Sequence, residues 1–190
     1  MFHPHFQNNL YNYADIFMPC GGRPSTLNIN NYMDYLPDGV PSSRAIVEGG
    51  NSFITPDARI KLQDAGIPIV KDASANKCGV ITSSFEILSG LLLSEEEFRK
   101  EKDAIVSEVL EKLANLAQGE AEWLFTAHNE TGKYLTDLTE ELSSTINSKN
   151  FAIAESFTQN PDKLDNRIIL AHLPRTLATK YADRINRLPA

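Results

Sequence analysis

Two patterns of apolar and polar residues follow one another along this chain of 190 residues. Up to about residue 93, short β-prone apolar runs alternate with turns and helix-like segments. From Ser94 onward, apolar residues recur at three- and four-residue intervals, as on one face of an amphipathic helix. We therefore predict an α/β domain at residues 1–93 and a helical C-terminal extension at residues 94–190.

The clearest local pattern lies in the middle of the α/β part. Arg44–Val47 is a β-prone run, Thr55 suits a helix N-cap, Gly66 suits the residue just after a helix, and Ile67–Val70 is a second apolar run. A strand, a helix of about ten residues and a second strand form a βαβ unit, so the two strands should be parallel.

Two asparagines, Asn51 and Asn76, come shortly after these predicted strands. Ligands of open parallel sheets bind beyond the carboxyl ends of the strands, so both asparagines should lie on one ligand-binding rim. An earlier apolar segment, predicted as a short strand, runs into Gly21 and Gly22. Their missing Cβ atoms allow the backbone to come close to a ligand, although on this motif alone an ordinary loop is the favoured explanation.

A further helix is predicted from Val80 to Leu93. Val80 and Ser83 are three residues apart and share a face near its first turn. Helix N-termini present free N–H groups that suit a carboxylate or a phosphate, and Ser83 adds a hydroxyl. The alternative is that the serine only supports the helix start.

The second half of the chain contains several helix signals. Ser94 and Glu97 form a capping box. The helix that follows is predicted to be interrupted near Gly119, and further helices are predicted to begin near Thr136 and near Asn160.

Composition excludes some classes of protein. The net charge is −7 with a pI near 5.1, which argues against a nucleic-acid partner. No apolar run reaches the roughly 20 residues that span a bilayer, so no membrane partner is expected. The two cysteines, Cys20 and Cys78, indicate reduced thiols rather than a disulfide scaffold. No P-loop, dinucleotide fingerprint or metal-ligand spacing occurs, so spacing alone identifies no catalytic or metal-binding residue.

Three motifs carry a family resemblance: PCGGRPSTLN, IVEGGNSFITPDAR and VKDASANKCGVITSSFEIL. They resemble consecutive blocks of glutamate dehydrogenases, in particular the large NAD-specific class. The resemblance implies the distal half of a Rossmann-like NAD domain followed by the helical extension. It also implies the family's reaction, in which L-glutamate, NAD and water give 2-oxoglutarate, ammonia and NADH.

The resemblance assigns roles residue by residue. It implies cofactor contacts from Gly21, Gly22, Gly49, Gly50, Asn51 and Asn76, and substrate contacts from Val80 and Ser83. The family usually has alanine at Gly50 and glycine at Cys78, which puts the placement of Asn76 in question if the turn needs a positive φ.

The family's catalytic lysine and aspartate have no counterpart in these residues, so we expect an inactive fragment of a larger enzyme. Its expected partners are the rest of that polypeptide, L-glutamate or 2-oxoglutarate, and further copies in a homo-oligomer. The expected compartment is the cytoplasm, or the mitochondrion in a eukaryote. Two other hypotheses stay open: a related amino-acid dehydrogenase with an apolar substrate, and a non-catalytic interaction module.

Overall fold

The computed structural model describes residues 13–21, 23–159 and 166–185. These residues form two compact units. The first comprises the described residues up to Lys77 together with Glu122–Ser144. The second comprises Cys78–Ala121 and the described residues from Thr145 onward. The domain boundary near residue 93 stays a prediction.

The first unit contains a three-stranded parallel sheet in the order β1-β2-β3. The strands are β1 (Ala14–Phe17), β2 (Ser43–Val47) and β3 (Ile69–Val70). Ile46 of β2 pairs with Phe17 on one side and with Ile69 on the other. The parallel pairing of β2 and β3 confirms the predicted βαβ unit and the α/β fold class.

Local sequence signals determine helix α1 (Pro56–Asp64) between β2 and β3. Thr55 is its N-cap, and Pro56 occupies the first helical position, where its missing N–H costs nothing. Gly66 follows the helix with a φ of +86°, a conformation that favours glycine. Two short 3₁₀ turns, Tyr32–Tyr35 and Pro37–Gly39, precede β2.

The core of the first unit surrounds the sheet and α1. It buries apolar side chains from the strands, from α1 and from the loops: Leu27, Tyr35, Leu36, Ile46, Phe53, Ile54, Ala58, Leu62, Ile67 and Ile69. A smaller cluster of the same unit joins Val70 to Leu124, Leu135 and Leu138. The loop residues Phe53 and Ile54 are therefore as firmly packed as the strands.

Helices make up most of the rest of the described chain. After α2 (Asp72–Ala75) come α3 (Cys78–Leu92), α4 (Glu95–Thr131), α5 (Leu135–Gln159), α6 (Asn166–His172), α7 (Arg175–Lys180) and α8 (Ala182–Ile185). The predicted helix start near Thr136 corresponds to α5, whereas the one near Asn160 lies outside the described residues.

The predicted interruption at Gly119 is wrong, because α4 continues through it. One glycine costs a helix only about 1 kcal/mol relative to alanine, and its neighbours are good helix formers. Helix α4 ends instead before Gly132, whose φ is +68°.

The second unit has an apolar core built from helices and from the residues that join them. Its buried members are Phe85, Leu92, Leu93, Ile105, Val109, Leu173, Leu177, Tyr181 and Ile185. The predicted capping box is present at the start of α4. The backbone N–H of Ser94 donates to Glu97 Oε2 at 2.8 Å, and the N–H of Glu97 donates to Ser94 Oγ at 3.3 Å.

Candidate functional site

The carboxyl ends of the three parallel strands share one edge of the first unit. We call the segments that leave this edge the rim: Pro19–Gly21, following β1, Glu48–Phe53 after β2, and Lys71–Asn76 after β3. Five of the six predicted cofactor residues lie on the rim; the sixth, Gly22, is outside the described residues. In parallel sheets, this edge is where ligands bind.

Glycine lets two rim segments touch. The N–H of Gly50 donates to the carbonyl of Pro19 at 2.6 Å. A Cβ on Gly50 would lie 3.3 Å from that carbonyl oxygen, and a Cβ on Gly49 would lie 2.9 Å from Cys20 Sγ. Protein atoms thus leave little room for a side chain at either position. A Cβ on Gly21, by contrast, would meet no described atom within 4 Å, so this glycine borders open space.

The two predicted asparagines meet on the rim. The Asn76 side-chain amide donates to Asn51 Oδ1 and, at 3.3 Å, to the carbonyl of Gly49. Asn51 is exposed, whereas Asn76 is half-buried. Among the described residues, Asn51 Nδ2 donates to no protein acceptor. The pair therefore presents an amide donor outward from the sheet edge.

Asp72, which sequence reasoning did not include in the site, joins the same two segments. Its Oδ2 accepts the backbone N–H of Ser52 at 2.8 Å, and its Oδ1 accepts the N–H of Ala73 at 2.8 Å. Ser52 has a φ of +53°, which is uncommon for a residue with a side chain. The Asp72 contact thus holds the loop directly after Asn51 in a conformation it would otherwise seldom adopt.

A buried ion pair closes the base of the loop after β2. Glu48 is fully buried, and its carboxylate accepts hydrogen bonds from Arg59 Nε and Nη2, both at 3.1 Å. The same carboxylate accepts the N–H of Ile54 at 3.2 Å, and Arg59 Nη2 donates to the carbonyl of Ile54 at 3.0 Å. Burial raises the pKa of Glu48, and hydrogen bonding to Arg59 offsets part of that rise. No local sequence pattern signals this pair.

Helix α5 supports the segment after β3. Lys71 pairs with Glu140, and Ser74 Oγ lies 3.0 Å from Thr139 Oγ1. The Lys71 ammonium group is therefore engaged by a carboxylate. The exposed groups of the Asn51–Asn76 pair are neutral amides, which suit hydroxyl and carboxamide groups of a ligand.

The two predicted substrate residues lie on α3 in the second unit. Val80 is 77% exposed, and the Ser83 hydroxyl donates to the carbonyl of Gly79 at 3.2 Å. Cys78 is the first residue of α3 and does not have a positive φ. The cysteine at this family glycine position is therefore accommodated without backbone strain.

Ranges 13–21, 23–159 and 166–185 contain no group of three His, Cys, Asp or Glu side chains that could hold a metal ion. None of the helices in these ranges is both long enough and apolar enough to cross a membrane.

Comparison with known proteins identifies what the chain is similar to. The family model for Glutamate/Leucine/Phenylalanine/Valine dehydrogenase matches residues 3–137. Glutamate dehydrogenase 2 of Dictyostelium discoideum is 37% identical, over 93% of this chain. The NAD-specific glutamate dehydrogenase of Neurospora crassa is 34% identical over 88%, and the probable one of Schizosaccharomyces pombe is 35% identical over 93%. The chain spans only 18%, 17% and 17% of these three relatives, respectively.

Proposed function

The chain belongs to the Glutamate/Leucine/Phenylalanine/Valine dehydrogenase family, and we propose that it is part of an NAD-dependent glutamate dehydrogenase. In that enzyme, L-glutamate, NAD⁺ and water give 2-oxoglutarate, ammonium, NADH and a proton. This chain contributes contacts to the cofactor and the substrate. The catalytic lysine and aspartate expected from the resemblance belong to other parts of a longer polypeptide.

The observation that carries this proposal is the Asn51–Asn76 pair at the carboxyl edge of a parallel sheet. Its outward amide donor suits the carboxamide oxygen of the nicotinamide and the ribose hydroxyls of the cofactor, which accept hydrogen bonds. The open space beside Gly21 leaves room for a ligand at the same edge. NAD supplies the hydride acceptor of the reaction when it is bound. Asn51 and Asn76 bind and orient, and neither exchanges a proton.

Val80 and Ser83 are the proposed substrate contacts. Ser83 lies in the first two turns of α3, where the helix N-terminus favours a negative charge. Its hydroxyl now donates to Gly79 and is exposed, so it can turn to donate to the distal carboxylate of glutamate. Val80 offers an exposed apolar surface for the substrate's methylene groups.

We also propose a reducing compartment, the cytoplasm or the mitochondrion, because Cys20 and Cys78 are both free thiols. The remainder of a longer polypeptide, which the coverage of the relatives supports, and further copies of that polypeptide are the proposed protein partners.

NAD binding by this chain tests the cofactor assignment. We expect saturation-transfer NMR to show contacts to the nicotinamide and ribose protons of NAD. Asn51→Ala should weaken binding by roughly three- to tenfold, the effect of losing one hydrogen bond. Asn129→Ala is the matched control, since Asn129 is an exposed asparagine of the same unit away from the rim, and it should bind as the parent chain does. Equal losses in both variants, or no contact to the nicotinamide, would contradict the assignment.

Substrate class is tested in the longer polypeptide that carries this chain. Glutamate should be oxidised faster than leucine, and Ser83→Ala should raise the KM for glutamate while leaving NAD binding unchanged. Faster oxidation of leucine would favour a related amino-acid dehydrogenase instead. An unchanged KM in Ser83→Ala would remove this serine from the site.

A further inference from the structure

The geometry of the rim assigns a role to Asp72, a residue to which neither the family resemblance nor the proposed chemistry gives one. Its carboxylate is shared between two segments that lie 20 residues apart in the chain. One oxygen accepts from Ser52 in the loop after β2, and the other accepts from Ala73 in the segment after β3. Asp72 is thus a direct link between the segment that carries Asn51 and the segment that carries Asn76.

This link determines which end of the Asn51 amide faces outward. With the two segments held together, Asn76 Nδ2 reaches both Asn51 Oδ1 and the carbonyl of Gly49. The oxygen of Asn51 is then occupied by protein, and its nitrogen remains for a ligand acceptor. If the loop after β2 moved away, the Asn51 amide would be free to rotate and to present either end.

The backbone of Ser52 is the part of the loop that the link holds. Its positive φ costs energy for any residue other than glycine and persists only where surrounding contacts impose it. The buried Glu48–Arg59 pair restrains the two ends of this loop, at Glu48 and Ile54. At Ser52 itself, the carbonyl accepts the N–H of Ser25 at 2.8 Å, and Asp72 is the side chain that binds the N–H.

We propose that Asp72 is a positioning residue that holds the Asn51–Asn76 pair, so that Asn51 acts toward the ligand as a hydrogen-bond donor. This proposal extends the proposed function, and the effect of Asp72 on NAD binding rests on that function. The positioning itself is a property of the chain without ligand and can be measured there.

The test compares Asp72→Ala with a matched control, Asp57→Ala. Both aspartates stand in the first turn of a helix of the first unit, and both accept the N–H of the next residue, at 2.8 Å for Asp72 and 2.9 Å for Asp57. Only Asp72 also accepts Ser52. The readout is the set of nuclear Overhauser effects (NOEs) from the Asn76 side-chain amide to Gly49 and Asn51, together with the thermal midpoint of unfolding.

We expect these NOEs in the parent chain and in Asp57→Ala, and their loss in Asp72→Ala. Asp72→Asn keeps an acceptor oxygen for Ser52 and should retain them. Should the alanine variant fail to fold, Asp72→Ser replaces it in the test. A serine still supports the helix start but is too short to reach Ser52, so the NOEs should be lost in this variant too. The proposal would be overturned if these NOEs persisted in Asp72→Ala or Asp72→Ser. It would also be overturned if they disappeared equally in Asp57→Ala, or if they were absent from the parent chain.

Addition of NAD distinguishes a failure of the positioning role of Asp72 from a failure of the proposed cofactor contact. If both hold, the Asn51 side-chain resonances shift on titration, and Asp72→Ala raises the Kd by about tenfold while Asp57→Ala does not. If the NOEs follow the expected pattern but NAD shifts nothing, the proposed cofactor contact fails and the positioning role of Asp72 stands.

Discussion

The two compact units place their charged groups differently. In the first unit, Glu48 and Arg59 are almost completely buried, at 0% and 8% side-chain exposure, and are joined through two nitrogens. In the second unit, three ion pairs each keep at least one partly exposed partner: Arg175–Glu111 at 76% and 62% exposure, Arg184–Glu97 at 36% and 31%, and Lys180–Glu101 at 55% and 9%.

This difference follows from what each unit has to hold in place. A buried ion pair adds little net stability because both charges lose their hydration, but it imposes one geometry on the groups around it. The first unit has to hold an irregular loop, whose backbone is bound by separate contacts to several segments and not by one regular ladder. The second unit packs regular helices through an apolar core, and exposed ion pairs add little to it. The predictions below test this contrast.

Arg59→Leu should have the largest effect. It leaves the Glu48 carboxylate buried without its partner, and we expect the free energy of unfolding at pH 7 to fall by about 4 kcal/mol. The pKa of Glu48, already raised by burial, would rise further. Because a raised pKa in the folded state disfavours ionisation, the loss should be smaller near pH 4, where the acid is protonated, and should grow as the pH rises.

Urea unfolding followed by the fluorescence of Trp123, the only tryptophan and a residue of the first unit, measures this loss. Arg44→Leu is the control, because Arg44 pairs with Asp15 on the surface and should cost less than about 1 kcal/mol. Equal losses in the two variants would remove the distinction between buried and exposed pairs.

Leu177→Ala tests the apolar core of the second unit. Leu177 is fully buried, and we expect a loss of about 3 kcal/mol in the free energy of unfolding, measured by circular dichroism in urea. Unlike the effect of Arg59→Leu, this loss should be independent of pH. Leu91→Ala is the matched control, since Leu91 is 59% exposed in the same unit and should change stability by no more than about 0.5 kcal/mol. A pH-dependent loss in Leu177→Ala would contradict the contrast.

Lowering the pH should destabilise the second unit through Glu97, and this should be the smallest of the three predicted losses of stability. Hydrogen bonds from Arg184, and then from the Ser94 N–H, lower the pKa of Glu97 to about 2 from an ordinary value of 4.5. A carboxyl group with a lowered pKa stabilises the fold above its unfolded pKa, and that contribution is lost as the pH falls from about 4.5 through 2.

The variant Arg184→Gln should therefore differ from the parent chain in thermal midpoint at pH 6 and approach it at pH 2.5. Arg99→Gln removes the exposed Arg99–Glu95 pair of the same helix and should show no such convergence. A difference between Arg184→Gln and the parent that stays constant across this range would show that the ion pair does not act through the pKa of Glu97.

The sequence alone determined the elements whose signals are local. Thr55, Pro56 and Gly66 mark the ends of α1, and Ser94 with Glu97 marks the start of α4. The common edge of the two asparagines was also predictable, because parallel strands end on the same side of a sheet. These features depend on backbone conformation and on hydrogen bonds between close neighbours in the chain.

Only the tertiary structure decided how the rim is held. Glu48 and Arg59 are 11 residues apart, and Ser52 and Asp72 are 20 apart, so no periodicity connects them. The continuity of α4 through Gly119 was missed for a different reason, because one glycine costs a long helix little and does not end it by itself. Burial and long-range contact set the strength of these interactions, and both arise only when distant segments of the chain pack together.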